Sequence, residues 1–248
     1  MSGVNWLSLL FIIGFIVVHF SAKYWKLSID NPRSPWLSAF GGATIAYVFL
    51  YLMPQLHKYL EVIKKAVGDS WLTFFGDYTY LLALFGLLGY FGLHSWAKSK
   101  GESKGAESGS RSTKVFLVHI SSFFLYNLII GYLLIREEFS NQWSMALYFL
   151  ALAAHFIATD HTLKEIHKKD YDKYGRWFLV AAIFVGWLIG VIFKVHEVIV
   201  GIAVSVLAGG ILLNVFKDEL KEGNLKNYLA FLSGAVVIAV LYMLVNSL

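Results

Sequence analysis

The chain has 248 residues, 58% of them hydrophobic and 15% charged, with a mean hydropathy of +0.62. A soluble domain carries roughly a quarter charged residues to solvate its surface, so the outside of this fold is expected to face lipid. The absence of cysteine excludes disulfides, Fe–S clusters and thiolate zinc sites, and the net charge of +5 matters through its placement rather than its sum.

A spanning helix needs about 20 mostly apolar residues to cross the hydrocarbon of a bilayer. Eight runs approach this length, and together they predict an all-α polytopic membrane protein, one domain over 1–248. Run 1, Asn5–Phe20, precedes the first basic residue, Lys23, and so reads as a helix rather than a cleavable leader with a basic start. Run 2 is Trp36–Leu56, and run 3 is Trp71–Trp96 with Gly86, Gly89 and Gly92. The Gly- and Ser-rich stretch 97–114 is expected to be a flexible cytoplasmic linker. Beyond it lie Val115–Ile135, Trp143–Thr159, Trp177–Phe193 with Gly186 and Gly190, Val198–Phe216 with Gly201, Ser205 and Gly209, and Tyr228–Val245. Small residues at such spacing let helices approach closely in lipid. Seven of the eight tryptophans sit at or near run ends, as in an interfacial aromatic belt.

The loops after runs 1, 3, 5 and 7 hold 16 of the 21 Lys and Arg residues. Basic residues favour the cytoplasmic side, so these loops are expected inside, with both termini outside the cytoplasm. A plasma membrane, multi-pass location is the corresponding expectation.

Polar groups at membrane depth are costly and mark candidate functional sites. These are Asp77, His119, Asn127, His155 and, near the cytoplasmic mouth, Asp160. His161 and Glu165 stand four apart, a spacing that suits either a divalent metal or a solvated helix extension with paired charges. His155 and Asp160 also make the His-x4-Asp spacing of glycerolipid acyltransferases, in which the histidine is a general base. No Gly-rich phosphate-binding block accompanies it.

Four segments, in order, resemble the ZIP family of divalent-metal transporters. Run 2, from Ser38-Ala-Phe-Gly-Gly to Tyr51-Leu-Met-Pro-Gln55, resembles that family's Gly-rich second helix with its His-x-x-Pro-Glu ending. In run 7, Ala208-Gly-Gly-Ile-Leu-Leu with the acidic Asp218 is similar to the family's Ala-Gly-Thr-Phe-Leu-Tyr block. Tyr126-Asn-Leu-Ile-Ile-Gly131 stands where ZIP proteins have His-Asn/Ser-x-x-Glu-Gly, and His155-Phe-Ile-Ala-Thr-Asp160 where they have a His-Glu-x-Pro-His/Glu block.

The resemblance implies an eight-helix bundle and a divalent metal, zinc or another, as substrate, with no tightly bound cofactor and no enzymatic activity. Carried over residue by residue, the implied metal ligands are His155, Asn127, Asp160 and Asp218. The transport pathway then runs past Tyr51, Gln55, Tyr126, Asn127 and Thr159. Tyr126, Ile130, Phe156 and Thr159 replace the family's remaining His and Glu ligands, leaving a reduced mononuclear site. The alternatives are a non-transporting scaffold, sensor or complex subunit with the same fold and, more remotely, an intramembrane acyltransferase. Expected partners are the lipid bilayer and the metal ion, with room for a homodimer or a membrane partner, and no nucleic acid.

Overall fold

The computed structural model describes residues 3–24, 34–67, 79–102, 108–221 and 225–247. Among them every regular element is helical. In chain order these are α1 (Gly3–Ser21), α2 (Pro35–Tyr47), α3 (Met53–Val67), α4 (Thr79–Glu102), α5 (Ser108–Arg136), α6 (Gln142–Asp170), α7 (Arg176–Ile192), α8 (Glu197–Lys221) and α9 (Leu225–Asn246). A short 3-10 turn, Ala22–Tyr24, closes α1.

Helices α2 and α3 form one span joined by a π turn over Val48–Leu52. Pro54 supplies the reason, because its ring nitrogen cannot donate to the Leu50 carbonyl and its ring crowds that residue. The chain widens by one residue, and the Met53 N–H reaches the Val48 carbonyl instead. A second π turn, Tyr171–Gly175, leads from α6 into α7.

Seven stretches of the described residues are long and apolar enough to cross a bilayer, and Tyr80–Trp96 in α4 is a shorter apolar helix. The direction of each helix follows from which residues meet. Phe11 and His19 of α1 meet Phe149 and Asp160 of α6, so these two run parallel. Ser8 and Phe20 meet Trp187 and Trp177 of α7, which runs the opposite way. Ala83 and Tyr90 of α4 lie against Gly209 and Asn214 of α8, again parallel. Odd-numbered spans therefore share one direction and α7 the other, as alternate crossings require. Tryptophans 6, 36, 96, 143 and 177 are all exposed, as a lipid-facing belt would have them.

Helical backbone occupies 97–102 and 108–114, so most of the expected flexible linker is helix and only 103–107 lie outside the described residues. Helix α6 likewise continues past the expected end at Thr159 to Asp170. This is the helix extension that the His161–Glu165 spacing allowed, and it forms at little cost because one further hydrogen bond accompanies each residue fixed. The start of run 3, with Asp77, lies outside the described residues.

Three helix pairs close through glycine on both partners. On α2 and α9, a Cβ at Gly42 would overlap the Phe231 carbonyl, and one at Gly234 the Ala39 carbonyl. Gly131 and Gly186 stand in the same relation to Ile183 and Leu128 across α5 and α7, as do Gly86 and Gly209 to Val206 and Ala83 across α4 and α8. Without an internal hydrophobic drive, close backbone approach is what holds helices together in lipid. By contrast Gly89 and Gly92 face open space, with nothing within 4 Å. A Gly209→Val substitution is expected to disrupt assembly or lower the melting temperature sharply in detergent. Gly89→Ala should leave it unchanged or raise it, since Ala is favoured over Gly in a helix by about 0.5–1 kcal/mol. Fluorescence-detected gel filtration after heating measures both.

Candidate functional site

Four residue types recur at the centre of the bundle: histidine, aspartate, asparagine and threonine. His19 of α1 is 1% exposed, Asp160 of α6 is fully buried, and Asn127 of α5 is 2% exposed. His19 Nδ1 meets Asp160 Oδ2 at 2.8 Å, and His19 Nε2 meets Asn127 Oδ1 at 2.8 Å. The asparagine amide donates to the Phe123 carbonyl one turn back, at 2.8 Å. That bond orients Asn127, so its Oδ1 is the atom presented to His19 and can only accept. His19 Nε2 must then carry a proton and donate it, and because the Asp160 oxygen is an acceptor too, the 2.8 Å contact at Nδ1 holds a second proton between ring and carboxyl. Outer hydrogen bonds of this kind are how a protein selects a histidine tautomer.

The second Asp160 oxygen makes no hydrogen bond of its own among the described residues. The Tyr171 hydroxyl, at the α6–α7 turn, faces the same carboxylate. A carboxylate at membrane depth is costly unless paired, and here the pairing histidine comes from a helix distant in sequence.

A second string of polar groups lies beside the first. Tyr90 of α4 donates to Asn214 Oδ1 at 2.9 Å, and Asn214 Nδ2 donates to Thr159 Oγ1 at 3.2 Å. Thr159 in turn lies 3.5 Å from His155 Nε2. Since Thr159 accepts from Asn214, its own hydroxyl proton is free to point at His155. The opposite ring atom, His155 Nδ1, is buried with no hydrogen-bond partner among the described residues.

Asn127 and Asp160 are thus brought together, but through His19, which sequence reasoning missed. His155 and Thr159 pair with each other. Asp218 accepts from Thr162 at 2.8 Å and pairs with Lys217 at 3.5 Å. Tyr126 points elsewhere than Asn127, stacking on Tyr90 with its hydroxyl against Gly210. The acyltransferase spacing brings no His155–Asp160 hydrogen bond, because the Asp160 oxygen that is bonded goes to His19. His161 and Glu165 do approach, at 3.7 Å, the histidine buried and the glutamate exposed. Among the described residues no three His, Asp or Glu side chains converge as they would around a metal ion. His19 had a legible signal, a histidine inside run 1, but two residues from the helix end it reads as interfacial.

Tyr51 and Gln55 lie outward of this centre, toward the end of the bundle that carries the α5–α6 connection. They line a cavity of about 220 Å³ with Lys58, Glu138, Ser144 and Asn246. An aromatic layer of Tyr47, Tyr51, Phe139 and Tyr148 separates cavity and centre, its rings 5.0–6.4 Å apart. No family model matches the chain, and no curated protein matches it. Burial raises the carboxyl of Glu137, beside the cavity, above its ordinary value, while Tyr51, Lys58 and Tyr59 pull it partly back.

Removing one member of the central pair leaves the other buried without a partner, at a cost of about 3–5 kcal/mol. His19→Ala is expected to destabilise the protein by about that amount, whereas His19→Leu combined with Asp160→Leu should recover most of it. A double-mutant cycle on detergent-solubilised protein reads the coupling.

Because the Glu137 carboxyl is raised, the folded chain holds its proton more tightly than the unfolded one. That stabilisation is complete below the unfolded carboxylate value of about 4.3 and is lost as pH rises through the raised folded value. Glu137→Gln should therefore flatten the fall in melting temperature from mildly acidic to neutral pH. An unchanged slope would remove Glu137 as its source.

Proposed function

We propose that this chain is a membrane carrier of a divalent transition-metal cation, with a ZIP-like bundle and the His19–Asp160 pair at its centre. The observation that carries the reading is the buried His19–Asp160–Asn127 constellation inside a lipid-facing bundle. A purely structural role is a poor use of a carboxylate at that depth, since apolar residues of similar volume are commonly as stable or more so. Mixed imidazole and carboxylate donors suit late first-row dications better than calcium or magnesium.

In this reading Asn127 is a positioning residue rather than a ligand. It holds the His19 Nε2 proton, so Nδ1 and the Asp160 carboxylate are the pair offered to the cation, which displaces the proton between them. His155, whose Nδ1 has no hydrogen-bond partner among the described residues, is a further imidazole on the same helix. The aromatic layer of Tyr47, Tyr51, Phe139 and Tyr148 closes the path on the side of the polar cavity. In the same reading the charge asymmetry of the loops supports the cell exterior for that side, with both chain ends there and the plasma membrane proposed as the location.

Uptake of zinc, cobalt or manganese into proteoliposomes holding a metal-sensitive dye tests the reading. Asp160→Asn and His19→Gln are each expected to lower the initial rate at least tenfold, with Asn127→Ala less severe. Failure of the unsubstituted protein to move any first-row dication removes the proposal. A non-transporting sensor or scaffold subunit would then stand, favoured by the lack of three convergent ligands among the described residues. A stoichiometric membrane partner on gentle purification is its signature.

A further inference from the structure

A second histidine cluster lies on the same two helices. His119 of α5 and His167 of α6 are each 9% exposed, and His119 Nδ1 lies 2.9 Å from His167 Nε2. The half-buried ring of His94, on α4, stacks on His119 with centroids 6.2 Å apart and planes 12° from parallel. Phe116 packs edge-on against His167. Three helices thus each contribute an imidazole at one level of the bundle.

That level is aligned with the centre. His119 and Asn127 lie eight residues apart on α5, and Asp160 and His167 seven apart on α6, so each pair shares a face at a separation of roughly 10–12 Å. Helices α5 and α6 otherwise touch only sparsely. Their seam is filled by the His19 bridge at one level and by the histidine pair at the next.

We propose that His94, His119 and His167 form a second, nitrogen-only station for a late first-row transition-metal dication, on the opposite side of the His19 centre from the polar cavity. The rings do not surround a single point at present. The step required is small. Two imidazole nitrogens on one tetrahedral metal, each at about 2.0–2.1 Å, stand roughly 3.3 Å apart. The existing 2.9 Å contact must therefore open by only about half an ångström.

Each neutral ring keeps one proton. Whichever of His119 and His167 now donates moves its proton to its other nitrogen, freeing both facing lone pairs, so binding needs a tautomer shift and no net proton release. His94 joins by turning about its side-chain torsions. The charged groups whose fields reach the pair are Lys217, from α8, and Asp170, on α6 itself. The first opposes a dication and the second favours it. Without an anionic ligand such a station holds metal weakly, as a point of transfer requires, and its nitrogen donors discriminate against calcium and magnesium.

This inference draws on the carrier reading only for the nature of the cation, and binding tests it apart from transport. Cobalt(II) is added to the purified full-length protein and its d–d absorption recorded. A tetrahedral band is expected, lost in the double variant His119→Asn with His167→Asn, in which cobalt affinity falls at least tenfold. The band should persist in Asp160→Asn. An undiminished band and affinity in the double variant would overturn the proposal. If that variant elutes aggregated, His94→Asn is read instead, with about fivefold weaker cobalt binding expected and an unchanged affinity counting against the station. Cobalt held by the histidines without uptake into proteoliposomes keeps the station and removes the carrier; uptake without histidine-bound cobalt does the reverse.

Discussion

The placement of one carboxylate, Asp160, constrains much of the rest. A buried charge in hydrocarbon needs a partner and further hydrogen bonds to both members. Here the partner is His19 and the further bond is to Asn127, so α1, α5 and α6 must meet at one level. That requirement explains why α1 lies between two helices that scarcely touch each other. It also explains why Lys164, one turn beyond Asp160, lies where it caps the end of α1 by donating to the Ala22 and Lys23 carbonyls at 3.2 and 2.9 Å.

Glycine supplies the second constraint. Each reciprocal pair, Gly42 with Gly234, Gly131 with Gly186 and Gly86 with Gly209, fixes the register of its two helices within a turn, since only there can the backbones meet. The α4–α8 pairing sets Tyr90 beside Asn214, and the α5–α7 pairing turns Asn127 toward α1. The polar centre thus depends on contacts that carry no polarity themselves.

The eight spans and their order were legible because hydropathy and loop charge accumulate residue by residue along the chain. Asn127, His155, Thr159 and Asp160 were legible for the same reason, as isolated polar positions in apolar runs. Their partners were not. His19 and Asp160 are 141 residues apart, and no local pattern marks that pairing. His167 was hidden because Asp160–Asp170 is charged enough to read as a solvated helix extension, although one face of the helix stays buried through Leu163 and His167. Spacing also failed to separate Gly86, which packs against α8, from Gly89 and Gly92, which do not. The ZIP resemblance singled out positions but carried nothing about what each one touches.

The two polar levels differ in a way that bears on direction. At the centre the Asp160 carboxylate is present and its second oxygen has no hydrogen-bond donor among the described residues, so a cation there would be held by charge. At the His94–His119–His167 level the ligands carry no anionic oxygen and two of them, His119 and His167, are already bonded to each other, so a cation must displace that bond and would be held less firmly. A cation moving from the centre to the histidines descends in ligand charge while gaining nitrogen donors. In the proposed carrier that gradient would favour release at the histidine end over return, with the aromatic layer of Tyr47, Tyr51, Phe139 and Tyr148 lying on the other side. Such a carrier would place its conformational work at the aromatic side, where the π turn before Pro54 interrupts the α-helical bonding of the span carrying Tyr47 and Tyr51.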